Sequence, residues 1–86
     1  IPVPDAKKFA LVEAMKAKAK FSDANIITID GLRVELPDAW GLVRASNTSP
    51  CIVARFEGRT PAALAAVQSR FRTLLASVDG ALEIPF

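Results

Sequence analysis

Histidine is absent from this 86-residue sequence, and cysteine occurs once, as Cys51. The usual general base near neutral pH is therefore missing, and so is the commonest metal ligand. A lone cysteine closes no disulfide within the chain and builds no zinc site, so nothing points to an oxidising compartment; Cys51 reads as a small buried hydrophobe rather than a nucleophile. There is no glycine-rich phosphate loop, no apolar run of membrane-spanning length and no signal-peptide pattern. The carboxylates are scattered over turns and strand surfaces, at spacings that pair no two of them for acid–base work. These absences leave no catalytic residue and no metal ligand to name, and the isolated chain is expected to be inactive. Eleven basic residues against nine acidic ones give a net charge of +2, far from the dense basic stripe of a dedicated nucleic-acid binder.

What is present suffices for one small domain. The sequence is 51% hydrophobic, ample for a core, although a domain of this size is only modestly stable by itself. The opening "IPVPD" reads as an extended, proline-stiffened entry from elsewhere. On this reading residues 1–4 are a hinge or linker from a preceding domain, residues 5–86 are the domain proper, and the whole is a fragment of a longer soluble protein.

Asp5 is a candidate N-cap for a first helix, in which Phe9, Val12, Met15 and Ala19 recur at three- and four-residue steps and predict one buried face. Lys7, Lys8, Lys16 and Lys20 fall largely elsewhere, and Lys16, Lys18 and Lys20 splay around the helix as a solvated surface. "NIITIDGLRVELP" predicts a hairpin with Asp30-Gly31 as a two-residue turn. "WGLVRAS" and "CIVARFEG" predict two further strands, with Leu42, Arg44 and Ser46 on one face and Val43 and Ala45 on the other. Trp40, beside Gly41, is expected at the sheet edge, propping the following loop. Thr60-Pro61 predicts the N-terminus of a second helix, with Leu64, Val67, Phe71, Leu74 and Val78 as its apolar stripe and Gly80 as its stop signal. Helix, four strands and helix make an α+β two-layer sandwich: a four-stranded antiparallel meander with both helices on one face.

Between the third and fourth strands lies "RASNTSP", residues 44–50. Arg44 offers a planar fork suited to two phosphate oxygens. Ser46 and Thr48 add hydroxyls, Asn47 an amide, and the loop's own N–H groups can line a shallow concavity. The same residues are turn formers, and a plain polar turn accounts for all of them except Arg44.

The stretch "WGLVRASNTSPCIVARFEG" resembles the C-terminal domain of the α-D-phosphohexomutases, most closely the bacterial phosphomannomutase/phosphoglucomutase branch. The family signature is Arg, a variable residue, Ser-Asn-Thr, a variable residue and Pro, followed by an apolar strand and an acidic residue. Arg44, Ser46, Asn47, Thr48, Pro50 and Glu57 match it. "DGLRVELPDAWG" before it, a Thr60-led helix after it and a Pro-Phe ending extend the likeness over nearly the whole chain. Ser49 departs from it, since many members carry Glu there, which leaves the branch and fine specificity open.

The resemblance implies a TATA-box-binding-protein-like fold and membership of a cytoplasmic enzyme that interconverts hexose 6-phosphates and 1-phosphates. It implies that the other three domains of the same chain supply the phosphoserine, the Mg²⁺ site and the sugar-reading residues. Glucose or mannose 1,6-bisphosphate would be the intermediate. Arg44, Ser46, Asn47 and Thr48 would hold the phosphate of the hexose phosphate substrate that is not reacting, as the domain closes over the active site. No nucleic acid and no membrane are implied as partners. A small nucleic-acid-binding module, with Arg33, Arg55 and Trp40 as contacts, and a purely structural module are the other readings of such an α+β domain. Against the former, aromatic and basic residues do not interleave along a strand.

Overall fold

The structure, a computed structural model, describes residues 1–29, 31–82 and 84–86. Helix α1 (Lys8–Lys18) is followed by strands β1 (Asn25–Ile27), β2 (Leu32–Glu35), β3 (Ala39–Ala45) and β4 (Ile52–Gly58), then by helix α2 (Pro61–Val78). The strands form one antiparallel sheet in the order β1-β2-β3-β4, with Ile26 opposite Val34, Leu32 opposite Val43 and Val43 opposite Ala54. The strands thus bear out the expected meander, and both helices pack on one face of it.

Alternation along the strands builds that face. Leu32 and Val34 of β2, Val43 of β3 and Ile52 of β4 are buried and meet Met15 of α1 and Val67, Phe71 and Leu75 of α2. Gly41 is needed at the centre, because a Cβ there would lie 2.4 Å from Cε1 of Phe71. Phe56 reaches the same ring edge-on, with centroids 5.2 Å apart. Helix α2 follows its sequence signals closely. Thr60 Oγ1 accepts a 3.1 Å bond from the Ala63 amide, and Pro61 occupies the first turn, so one otherwise unpaired amide is satisfied and φ is preset.

Several local expectations give way. Asp5 does not cap α1: Lys7 is the capping residue without a side-chain bond, and Asp5 pairs with Lys8 instead. The buried face of α1 is rotated from the expected one, carrying Lys8, Leu11, Val12 and Met15, while Phe9 is 57% exposed. Four successive residues, Phe9 to Val12, are apolar or small, so helical spacing alone admits either rotation. A two-residue Asp30-Gly31 turn would pair Ile29 with Leu32; instead Ile27 faces Arg33, the connection is longer and Ile29 is exposed. Asp30 itself lies outside the described residues. Helix α2 ends two residues before Gly80, as Asp79 turns to extended backbone, and Gly31 alone among the described glycines has a positive φ.

Candidate functional site

Strand β3 carries Arg44 to the loop end of the sheet, and Ala45 opposite Ile52 is the last pair of the β3–β4 ladder. The Ser46 amide extends the ladder by one rung, donating to the Cys51 carbonyl at 3.0 Å. Asn47 to Pro50 form the turn. Ser46 Oγ accepts from the amides of Thr48 (3.3 Å) and Ser49 (3.2 Å), and the Cys51 amide donates to the Ser49 carbonyl (2.8 Å). Two loop amides therefore point inward to Ser46 rather than outward, contrary to the expectation that successive amides line a concavity. The Ser46 hydroxyl accepts twice through oxygen and keeps its own proton to donate.

Arg44, Asn47 and Thr48 are exposed, and Ser46 is half-buried. Arg44 and Asn47 border a cleft of about 150 Å³ whose other walls include Phe9, Lys16, Ile29 and Gly31; Ser46 and Thr48 are not among its lining residues. Among the described residues, no carboxylate comes within ion-pair distance of Arg44. The cleft thus holds one planar cation, one amide, a second cation, Lys16, and one carboxylate, Glu13, whose Oε1 accepts from Lys16 at 3.1 Å and offsets that charge. Such a set suits an anion with several oxygen acceptors. Lys16 was expected on a solvated surface, yet it is half-buried beside Arg44.

Lys8, expected on the solvated side of α1, lies against the loop instead. Lys8 is 3% exposed, and its Nζ donates to the Ser49 carbonyl at 3.2 Å and pairs with Asp5 Oδ1 at 2.7 Å. Its spacing to Leu11, Val12, Met15 and Ala19 is the signal that would have found it. Residues 1–3 also reach the loop exit. Pro2 bridges Cys51, the Val3 amide donates to the Pro50 carbonyl (3.0 Å) and the Ile52 amide to the Ile1 carbonyl (2.8 Å).

Trp40 lies at the opposite end of β3, about 20 Å along the strand from the loop, and β3 is an interior strand. It neither props the loop nor sits at an edge. Arg33 stacks on its ring at 4.3 Å, and its Nε1 donates to Glu57 at 3.1 Å, so the ring is already engaged. Cys51 is half-buried rather than fully buried. Among the described residues, no group of three or more His, Cys, Asp or Glu side chains could hold a metal ion, and no helix is long and apolar enough to cross a membrane.

The family model described as "Phosphoglucomutase/phosphomannomutase, C-terminal domain" matches residues 1–74. The phosphomannomutase/phosphoglucomutase of Pseudomonas aeruginosa is 46% identical over 86 residues, covering 100% of this chain and 19% of that protein. The phosphoglucomutase of Neisseria gonorrhoeae is 54% identical over 68 residues, covering 78% of this chain and 15% of that protein. A crystal structure of a phosphoglucomutase/phosphomannomutase family protein from Burkholderia thailandensis superposes with a TM-score of 0.85 at 46% identity, covering 92% of this chain and 18% of that one. The chain spans less than a fifth of these relatives. With the signature loop, the sheet that carries it and the match over most of the sequence all in agreement, the chain belongs to the phosphoglucomutase/phosphomannomutase family, as its C-terminal domain.

Proposed function

We propose that this chain anchors the idle phosphate of a hexose phosphate in a multi-domain mutase that interconverts 6-phosphates and 1-phosphates. The observation that carries the reading is the loop itself. Arg44 is held at a strand end beside Asn47, and Ser46 is locked by two backbone bonds with its hydroxyl proton left to donate. Arg44 supplies charge and a two-pronged donor, while Ser46, Asn47 and Thr48 complete the set around the remaining oxygens.

The chemistry gives this anchor its purpose. A mutase must present its substrate in two orientations, so that either phosphate can react. A phosphate looks nearly the same from either sugar carbon, and one site can therefore hold whichever is idle. Fixing the remote group orients the reacting end and converts binding energy into rate. The described residues do not fit a Mg²⁺ site; that site and the residues reading mannose or glucose would belong to other parts of the mutase. A bisphosphate would leave one of its phosphates in this anchor while the other reacts. Residues 1–4, expected as hinge or linker, would link the domain to the one before it and move with it as it closes, since residues 1–3 are bonded to the loop exit.

In the full-length mutase, Arg44→Ala should lower kcat/KM by roughly ten- to hundredfold, the equivalent of about 1.5–3 kcal/mol for charge-assisted hydrogen bonds. The melting temperature should hold, because the side chain is exposed. Unchanged kcat/KM in a folded variant would sink the anchor.

A further inference from the structure

We infer that Lys8 is a positioning residue for the anchor loop, holding it from beneath through the Ser49 carbonyl. This rests on the phosphate-anchor reading above. Lys8 is the only charged side chain among the buried residues described, and a lysine is rarely buried unless it is paired. Here its ammonium is used at both ends: one bond to the Ser49 carbonyl at 3.2 Å and one ion pair to Asp5 at 2.7 Å. Asp5 is exposed, with its side chain 74% accessible. Water can therefore replace that partner, and the ion pair alone does not require Lys8 to be buried. Its backbone partner, the Ser49 carbonyl, belongs to the turn that Ser46 organises.

The consequence is geometric. The Ser49 amide is fixed to Ser46 Oγ on one side of the residue, and its carbonyl is fixed by Lys8 on the other. The peptides before and after Ser49 are thus held separately, the first through Ser46 Oγ and the second through Lys8 together with the Cys51 amide at 2.8 Å. The Pro50 carbonyl is tied to the Val3 amide, so the turn is held from Ser46 to its exit. Removing the Lys8 ammonium leaves the Ser49 carbonyl with the Cys51 amide as its remaining donor, so the segment that follows Thr48 is loosened and the hydroxyl and amide donors lose alignment with the phosphate. Lys8 touches no substrate in this arrangement and acts through the loop.

The test is steady-state kinetics on the full-length mutase with a hexose 1-phosphate as substrate. Lys8→Met should raise KM and lower kcat, for a loss of about tenfold in kcat/KM, because misalignment of a remote binding group weakens both capture and orientation of the reacting end. Lys8→Arg, which keeps a charged donor, should recover most of the loss. Val67→Ala, a buried packing loss on α2, controls for stability: it should lower the melting temperature and leave KM alone. If Arg44→Ala lowers kcat/KM while Lys8→Met behaves like Val67→Ala, the role of Lys8 is overturned and the anchor stands. If Arg44→Ala has no effect either, the anchor itself is wrong and Lys8 falls with it. Failure of Lys8→Arg to recover KM, when Lys8→Met has raised it, would also overturn a role that rests on a charged donor.

Discussion

Gly31 lies against β3 where Arg44 leaves the sheet. Its φ of +82° is one that L side chains avoid, and a Cβ there would lie 2.4 Å from the Val43 carbonyl oxygen and 2.7 Å from Arg44 Cβ. Both contacts are with the backbone or the stem of β3, which cannot swing away as a side-chain tip can. Gly31→Ala should therefore destabilise the domain by at least the cost of left-handed backbone, about 1–2 kcal/mol, and displace the base of Arg44. Urea unfolding gives the first effect, and the amide shifts of Val43 and Arg44 give the second. A variant as stable as the parent, with those shifts unmoved, would show that the turn relaxes freely. Residue type alone exposed half of this arrangement. The Arg-x-Ser-Asn-Thr pattern marks the loop and its donors, but it does not say which way the Thr48 and Ser49 amides face. That is decided by the Ser46 hydroxyl, and turn-forming residues permit either outcome. Lys8 was hidden for a related reason: solvent is the default for lysine, and only its partners, 3 and 41 positions away in sequence, make burial tolerable.

At the level of elements, α2 was legible because its signals agree. Thr60, Pro61 and a stripe through Val67, Phe71 and Leu74 each point to the same start and the same buried face, and such consistency is what specifies one structure. Helix α1 lacks it: with small or apolar residues in succession and no working side-chain cap, its rotation is set by contact with β2, β3 and α2. The hairpin of β1 and β2 forms, but its two-residue turn gives way for a third reason: Asp-Gly favours a tight turn locally, while packing of half-buried Ile26 and buried Val34 against the core fixes the register. Phe71 is where the layers depend on one side chain. It is fully buried, lies under Gly41 and packs edge-on to Phe56, which in turn meets Phe86 at 4.7 Å. Phe71→Ala should cost about 3–5 kcal/mol, read by chemical denaturation. A midpoint indistinguishable from the parent would mean that the sheet does not rely on α2 for its cover.

Across the whole molecule, one ion pair fastens the connection between α1 and β1 to the middle of α2. Arg70 donates through two nitrogens to the Asp23 carboxylate, at 2.8 and 2.5 Å, and lies 5.4 Å from the Phe21 ring centroid. The hydrogen bonds from Arg70 hold the Asp23 carboxyl below the ordinary aspartate range against an opposing desolvation effect, and Asp23 raises Arg70 in return. Arg70 stays charged at every pH that matters, so the pair titrates through Asp23 alone. Because the folded-state value is depressed, the unfolded chain takes up its proton first as pH falls. The contribution of the pair is therefore complete above the ordinary aspartate value and is lost from about pH 4 downward. Both groups are largely solvated, so the effect is small and screened by salt. It still acts on the helix that carries Lys8 to the loop, by tying the end of that helix to α2. Asp23→Asn should lower the melting temperature slightly at neutral pH and flatten its decline between about pH 4 and pH 2, with the difference shrinking in high salt. Parallel melting curves for parent and variant across that range would show that Asp23 titrates alike in the folded and unfolded chains, and that the two helices are held by their other contacts, the 2.9 Å bond from Lys18 Nζ to the Ser77 carbonyl among them.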